Sequence, residues 1–369
     1  MAERVDVFVV GAGPAGLAAA IAARQKGFRV TVADGAAPPV DKTCGEGMMP
    51  ESHAVLRELG AGIAAGEGFR FRGIRFVQEG AKASADFPRG FGIGLRRPLL
   101  QQKLMARAAE CGVELLWKTP VTEIDGQGVS LGAQKVPARW IVGADGQGSR
   151  VRRWSGLEAT RVSSRRFASR RHYRLRPWSE FMEIYWGRRA QAYLTPVSSE
   201  EICVVLLGEC PEDAAFERAL RELPELQDRL GRAEPASRAR GGVTVSRSLG
   251  KVQRGNVALV GDASGSVDAI TGEGLRLAFL QALALADAME AGNLACYQRQ
   301  HRSLERRPMA MGKWMLLLGR HPALRARVVE SFARKPELFQ KLLAFHVGEG
   351  HPAELLSAGV ALGWRLLAA

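Results

Sequence analysis

Three short stretches carry residues suited to one kind of chemistry, the holding of a dinucleotide. The first is Gly11-Ala12-Gly13-Pro14-Ala15-Gly16. Gly11 permits a tight turn, Gly13 lets the backbone approach a phosphate, and Gly16 lets the following helix pack closely on a sheet. The second is Gly143-Ala144-Asp145-Gly146 and the third is Gly261-Asp262-Ala263. Each ends a β-branched run with an acid, and an acid at a strand end can accept from the hydroxyls of a sugar or polyol. Alone, each of these stretches also fits an ordinary turn. In this order along most of the chain, they read as one site closed around a pyrophosphate.

The elements that must position these residues are also legible. Val5-Asp6-Val7-Phe8-Val9-Val10 is a valine-rich run that reads as a buried parallel strand. An alanine-rich helix follows from Ala15 to about Lys26, with Gly27 as its stop. The helix N-terminus points free N–H groups and the positive end of its dipole at the phosphates. A second strand, Arg29–Ala33, delivers Asp34 to a position where it can meet a ribose hydroxyl. Ala138–Val142 and Asn256–Val260 read as the strands that deliver Asp145 and Asp262, and Ser149 reads as the N-cap of a helix beginning at Arg150. After Asp262 come Gly272-Glu273-Gly274 and a long helix from Leu275 to about Ala291.

A chain of 369 residues is long enough for two intertwined domains with substantial cores. Its first residues run straight into a strand, so no signal peptide is expected. No apolar run reaches the length of a spanning helix. The five scattered cysteines show no CxxC spacing, which argues for reduced thiols and against a metal cage, so a cytoplasmic location is expected. The net charge is +14, and it is concentrated. Ten arginines lie between Arg150 and Arg176, and a second basic stretch runs from Arg299 to the end. No nucleic-acid module accompanies them. The readings left are solvated arginine faces, attraction to anionic lipid headgroups, or attraction to a phosphorylated pyridine nucleotide.

The order of the three motifs resembles the flavoprotein superfamily of para-hydroxybenzoate hydroxylases, flavin halogenases and geranylgeranyl reductases. The resemblance implies an α/β fold. A Rossmann-like FAD-binding domain (residues 1–67, 96–159 and 250–309) carries an inserted mixed β-sheet substrate domain (68–95 and 160–249), and a C-terminal helical segment (310–369) follows. It implies FAD as cofactor, NADH or NADPH as electron donor, and Asp262 against the ribityl chain. It also implies a helix after Leu95 that brings an arginine to the cofactor, here Arg97. The long helix after Gly274 would present its N-terminal N–H groups to a reduced flavin. The loop Lys42-Thr43-Cys44-Gly45-Glu46-Gly47 resembles the cysteine- and glycine-rich loop of the geranylgeranyl reductases, in which the cysteine lies near the flavin. Gly45 and Gly272 join the cofactor set on this basis. Cys44, Glu46 and Glu273 are the candidates for chemistry at the flavin.

Other positions depart from that subfamily. Its Tyr-x-Trp-x-Phe-Pro stretch is reduced here to Gln191-Ala192-Tyr193-Leu194-Thr195-Pro196. The halogenase Trp-x-Trp-x-Ile-Pro pattern is absent. Ala269 stands where the superfamily usually has proline. Tyr185, Trp186 and Tyr193 lie in predicted strands of the insertion and could line a substrate cavity. The first reading is therefore an NAD(P)H-dependent monooxygenase acting on a hydrophobic or phenolic small molecule. A double-bond reductase of isoprenoid or lipid-like molecules is the alternative, and a non-catalytic FAD-bound redox partner is a third. In the C-terminal segment, Leu338, Phe339, Leu342 and Leu343 form one helix face and Leu355–Trp364 is largely apolar. This segment would either cap the substrate domain or make peripheral contact with a membrane.

Overall fold

The computed structural model describes residues 5–158 and 160–351. Leu355–Trp364 lies outside the described residues.

The chain builds two large sheets. The first is the nucleotide-type sheet. Val5–Val10 lies at its centre, flanked in parallel by Val30–Asp34 and Gln134–Gly143. Glu114–Trp117 and Val257–Leu259 extend it, also in parallel. Two alanine-rich helices, Pro14–Gln25 and Gly274–Glu290, pack together against this sheet. Small side chains let the two helix axes approach closely, and Gly16 brings the first helix tight to the strand ends. A β-carbon at Gly16 would stand 1.9 Å from the Gly11 carbonyl oxygen.

The second sheet is mixed. Gly73–Gln78 pairs in parallel with Phe181–Trp186, and the remaining neighbours are antiparallel. The long strand Thr160–Arg174 pairs with Arg240–Leu249 from Thr160↔Leu249 onward, so the ends of the second insertion meet each other. Residues alternate across this sheet, apart from a register shift between Val162 and Ser164. Met182, Ile184, Trp186, Tyr193, Cys203 and Val205 face a core shared with the C-terminal helices. Tyr173, Tyr185, Leu194 and Val204 face the opposite core, closed by Phe216–Arg221 and Pro224–Leu230.

The C-terminal helices are Leu294–Arg320, Pro322–Arg334 and Pro336–His346. The first runs unbroken past residue 309, so the boundary expected there falls within a continuous helix. Its asparagine N-cap, Asn293, accepts from the Ala295 N–H and sets its start. Leu338, Phe339 and Leu343 are buried against the second sheet. This helix face therefore forms a cap over the mixed sheet. None of the described helices is long and apolar enough to cross a membrane.

Two sequence expectations need correction here. Tyr185 was expected to line a cavity over the flavin. The period of two turns it to the far face, where its hydroxyl donates to Glu183 at 2.6 Å and burial pushes its pKa far up. Solvated faces were one reading of the arginines between Arg150 and Arg176, and three of these arginines are not solvated. Arg152, Arg166 and Arg170 are buried. Arg166 pairs with Asp268 at 3.1 Å, and Arg170 pairs with Asp41 at 2.7 Å and Glu46 at 3.3 Å. An inward arginine on a strand needs a carboxylate opposite it, and the loops supply one.

Candidate functional site

The three motifs converge at the carboxyl ends of the parallel strands. A β-carbon on Gly11 would stand 2.6 Å from the Ala144 carbonyl oxygen, and one on Gly261 would stand 2.6 Å from the Ala15 β-carbon. The first motif is thus wedged between the second and third. Gly11 and Gly261 have φ of +104° and +59°, which favour glycine. Gly13 is different. A β-carbon there would meet nothing within 4 Å, and the same holds for Gly45 and Gly274. These three glycines therefore face open space, as a backbone cradle for a ligand requires.

The helix Pro14–Gln25 has no side-chain cap, and proline fills its first position. Its N-terminal dipole is left for a ligand. Asp34 accepts from the Ala12 N–H at 2.8 Å through one oxygen and from the Ala36 N–H at 2.8 Å through the other. In this structure it buttresses the turn. Gln101 donates to the Ala12 carbonyl at 3.1 Å and accepts from the Val40 N–H. Gln101 lies one turn beyond Arg97 on the same helix, and that spacing is the signal that could have singled it out.

Asp262 is open to solvent yet surrounded by protein, as on the floor of a cleft. That crowding raises its carboxyl pKa, while Arg97, Lys42 and Arg247 pull it down. The floor thus carries one acid and three cations, a balance suited to a polyol beside a pyrophosphate. Lys42 and Arg247 were not singled out in the sequence. Lys42 opens the cysteine- and glycine-rich loop, Arg247 sits in no glycine motif, and both reach the cleft only through the tertiary fold. Asp145 is committed locally. It accepts from the Ser149 hydroxyl at 2.5 Å and from the Arg150 and Val151 N–H groups, so it caps the helix Arg150–Trp154.

Cys44 is half-buried, with its sulfur 3.8 Å from Arg97 Nη1. Glu46 and Glu273 do not open on the cleft. Glu46 has a φ of +59°, and its side chain is wholly buried. Its carboxylate accepts from the Arg97 N–H at 3.0 Å, from Arg170 Nη1 at 3.3 Å, and bonds His172 Nε2 at 2.8 Å. His172 Nδ1 in turn bonds the Ser237 hydroxyl at 2.8 Å. The donor atoms of Glu46, His172 and Cys203 lie within 4.8 Å of one another. Arginine, histidine and a backbone N–H already fill the carboxylate, so this is an anion hub tying the loop to the sheet. Glu273 pairs with Arg276 at 2.9 Å and lies 3.3 Å from His346 Nε2. Its backbone stays at the cleft, at the N-cap of the long helix, while its side chain turns away from it.

Beside the cleft, beyond Gly272, lies a small apolar cavity of about 40 Å³. Met49, Ile184, Met311, Met315, Phe339 and Leu343 are among its walls, and Gly272 is at its rim. Its one ionisable wall residue is His346, whose Nε2 donates to the Thr271 carbonyl at 3.0 Å. Burial lowers the His346 pKa, and Glu273 opposes that shift. Trp186 and Tyr193 are buried behind this wall, and neither the indole N–H nor the phenol hydroxyl has a hydrogen-bond partner among the described residues.

The FAD binding domain family matches residues 4–293. The chain belongs to that family. It is an FAD-dependent oxidoreductase of the para-hydroxybenzoate hydroxylase and geranylgeranyl reductase superfamily. Among its relatives is the menaquinone reductase of Mycobacterium tuberculosis, 27% identical over 320 residues, covering 79% of this chain and 78% of that protein. Digeranylgeranylglycerophospholipid reductase 1 of Methanopyrus kandleri is 30% identical over 302 residues, covering 74% and 77%. In fold the chain is similar to p-nitrophenol 4-monooxygenase from Pseudomonas putida. The TM-score is 0.80 at 21% identity, covering 95% of this chain and 100% of that one.

The cleft fits FAD. Gly13 and the first turn of Pro14–Gln25 would hold the pyrophosphate, with Lys42, Arg97 and Arg247 as counter-charges. Asp262 would meet the ribityl hydroxyls, and the backbone at Gly45 and Gly272–Gly274 would meet the ring system. FAD, once bound, supplies two-electron transfer, and the protein supplies orientation and a dry wall.

Proposed function

We propose that this chain is an FAD-dependent reductase that saturates a carbon–carbon double bond in a long apolar molecule of the isoprenoid class, with NADH or NADPH as the electron source. The apolar cavity carries this reading. It touches the flavin-facing turn at Gly272 and offers methionine, isoleucine, leucine and phenylalanine to a ligand. Methionine-rich walls adapt to a flexible chain. A phenol bound there would have few polar groups, Thr271, Trp314 and His346, to pair its hydroxyl, and an unpaired buried hydroxyl is costly. The named reductases to which the chain is similar over most of its length support the same reading.

Saturating a double bond takes up two electrons and two protons. His346 is the group on the cavity wall that can hold a proton and release it at Nδ1, while Nε2 stays on the Thr271 carbonyl. Hydroxylation, the reading the sequence favours first, is the second reading. It keeps the support of a fold shared with p-nitrophenol 4-monooxygenase.

The test is to incubate the FAD-loaded protein with NADPH and a C20 prenyl alcohol, with and without oxygen, and to weigh the product. A gain of two hydrogens in both conditions supports the reductase. A gain of one oxygen atom, in air only, replaces it with hydroxylation. Peripheral membrane contact belongs to the same proposal, because a lipid-like substrate and a basic C-terminal region suit an anionic bilayer. Flotation with liposomes is expected to need anionic lipid and to weaken with salt. Absence from the liposomes at low salt would remove this part.

A further inference from the structure

The turn that carries Asp262 is held largely by side chains from the helices behind it. The Val260 N–H still donates to a neighbouring strand, at the Gly143 carbonyl. The next donor, the Gly261 N–H, goes instead to Gln281 Oε1 at 2.8 Å. The Gly261 carbonyl accepts from the Ser264 N–H at 2.9 Å and from the Ser264 hydroxyl at 2.8 Å. Just before the turn, the Tyr297 hydroxyl donates to the Leu259 carbonyl at 2.6 Å. Gln281 lies on the helix Gly274–Glu290, and Tyr297 and His301 lie on Leu294–Arg320. All are buried, as is Ser264.

We infer that Gln281 and His301 are positioning residues of the flavin cleft. They fix the Gly261–Asp262 turn through a one-way hydrogen-bonded chain that requires His301 as its Nδ1–H tautomer. The inference does not depend on which reaction the flavin performs, since both need Asp262 set for the ribityl hydroxyls.

The direction of the chain follows from its first donor. A backbone N–H can only donate, so the Gly261 N–H turns the Gln281 amide with its oxygen toward the turn. Gln281 Nε2 is then a donor, and it lies 3.1 Å from His301 Nε2. His301 Nε2 must accept, which places the imidazole proton on Nδ1. The Ser264 hydroxyl, 2.9 Å from the same nitrogen, meets an acceptor there as well. Nδ1 faces the Glu305 carboxyl, 3.5 Å from Oε2. Burial, with a smaller push from Arg302, lowers the His301 pKa to about 4, so Nε2 is free to accept at neutral pH. Burial alone raises Glu305 to about 8, so the chain ends on an uncharged acid at neutral pH. Glu305 also abuts the loop beyond Asp262, because a β-carbon on Gly265 would stand 2.9 Å from its Oε1. The chain therefore runs from Gly261 through Gln281 and His301 to Glu305 without a charged member. Cutting it at Gln281 strands a buried backbone N–H beside the acid that meets the flavin, and such a group is costly to leave unpaired.

The test uses the full-length, FAD-loaded protein, with flavin affinity read from the fluorescence of flavin released on dilution. Gln281→Leu and His301→Leu are each expected to weaken FAD binding by about tenfold or more, the size of one buried hydrogen bond lost. The double variant is expected to fall no further than the weaker single variant, because both changes cut the same chain. His301→Gln sets an amide oxygen near the place of Nε2 and is expected to hold FAD far more tightly than His301→Leu. Variants that melt earlier yet hold FAD as tightly as the wild type would show a packing role only and overturn the inference. Losses that multiply in the double variant, or a glutamine variant no better than the leucine one, would also overturn it. Nitrogen NMR of histidine-labelled wild-type protein reads the tautomer directly, with His301 assigned by its absence from His301→Gln. A proton on Nδ1 is expected. A proton on Nε2 contradicts the chain, and this arm decides the matter if the leucine variants do not fold.

Discussion

At the scale of single residues, the glycines of the first motif divide into two kinds, and substitution should separate them. A β-carbon on Gly13 enters open space, while one on Gly16 collides with the Gly11 carbonyl at 1.9 Å. Gly13→Val is therefore expected to fold and to purify without flavin. Gly16→Val is expected not to yield folded protein. Stoichiometric flavin in Gly13→Val would contradict the cleft, and Asp262→Ala should lose flavin in the same assay. The spacing of these glycines was readable in the chain, but their division was not. Which glycine faces a neighbour and which faces a ligand depends on how Ala144 and Ala15 are brought against the turn. The same limit applies to Glu46 and Glu273. Sequence placed them at the cofactor loop, and only the fold turns their carboxylates inward to Arg170, His172 and Arg276.

A second residue-scale prediction concerns Glu305, which burial pushes up from 4.5 to about 8. The folded state keeps a proton that the unfolded chain releases at lower pH. Its contribution to stability is therefore full below about pH 4.5 and is lost as pH rises toward about 8. His301, with Nδ1 3.5 Å away, is lowered to about 4 by burial and acts with the opposite sign, so its contribution is lost as pH falls from about 6.5 toward about 4. Glu305→Gln should remove the alkaline loss, raising stability at pH 8 relative to pH 5 by on the order of a few kcal/mol. Urea denaturation at the two pH values measures this. An unchanged pH slope would show that Glu305 is ionised in the folded protein.

At the scale of elements, the strand runs and the alanine-rich helices were legible because valine runs and glycine stops are local signals. The faces of the second sheet were not. Tyr185 and Trp186 are neighbours in sequence and face opposite cores, and the burial of both faces erases the polar alternation that would have told them apart. The C-terminal helix Pro336–His346 was legible as amphipathic, and its docking site was not. Phe339 stacks on Phe332 at 5.0 Å and packs on Phe76 at 4.6 Å, which ties two helices to the sheet. Phe339→Ala should cost about 3 to 5 kcal/mol, as large-to-small changes in a packed core do. It should also enlarge the apolar cavity, of which Phe339 is a wall. Thermal unfolding checks the first effect. A loss below about 1 kcal/mol would mean that the helix is not docked as described.

At the scale of the whole molecule, two sheets divide the work. The parallel sheet gathers the three motifs into one cleft, and the mixed sheet with its helical cap encloses an apolar space beside the Gly272 turn. The excess of arginine is partly structural, holding loop acids against the sheet, and partly displayed on the outer flank of the cavity. The distribution of charge along the chain was visible in sequence. Its sorting into buried pairs and exposed groups follows from which strand face each arginine occupies. In the function proposed above, electrons pass from the bound flavin to a double bond in that apolar space without help from oxygen. The most direct measurement is to reduce the flavin with one equivalent of NADPH under strict anaerobiosis, add a C20 prenyl alcohol or its diphosphate, and follow the flavin absorbance. Return of the oxidised flavin spectrum, matched by a saturated bond in the product, is the predicted result. A flavin that stays reduced until oxygen is admitted, with an oxygen atom then appearing in the product, would contradict the account.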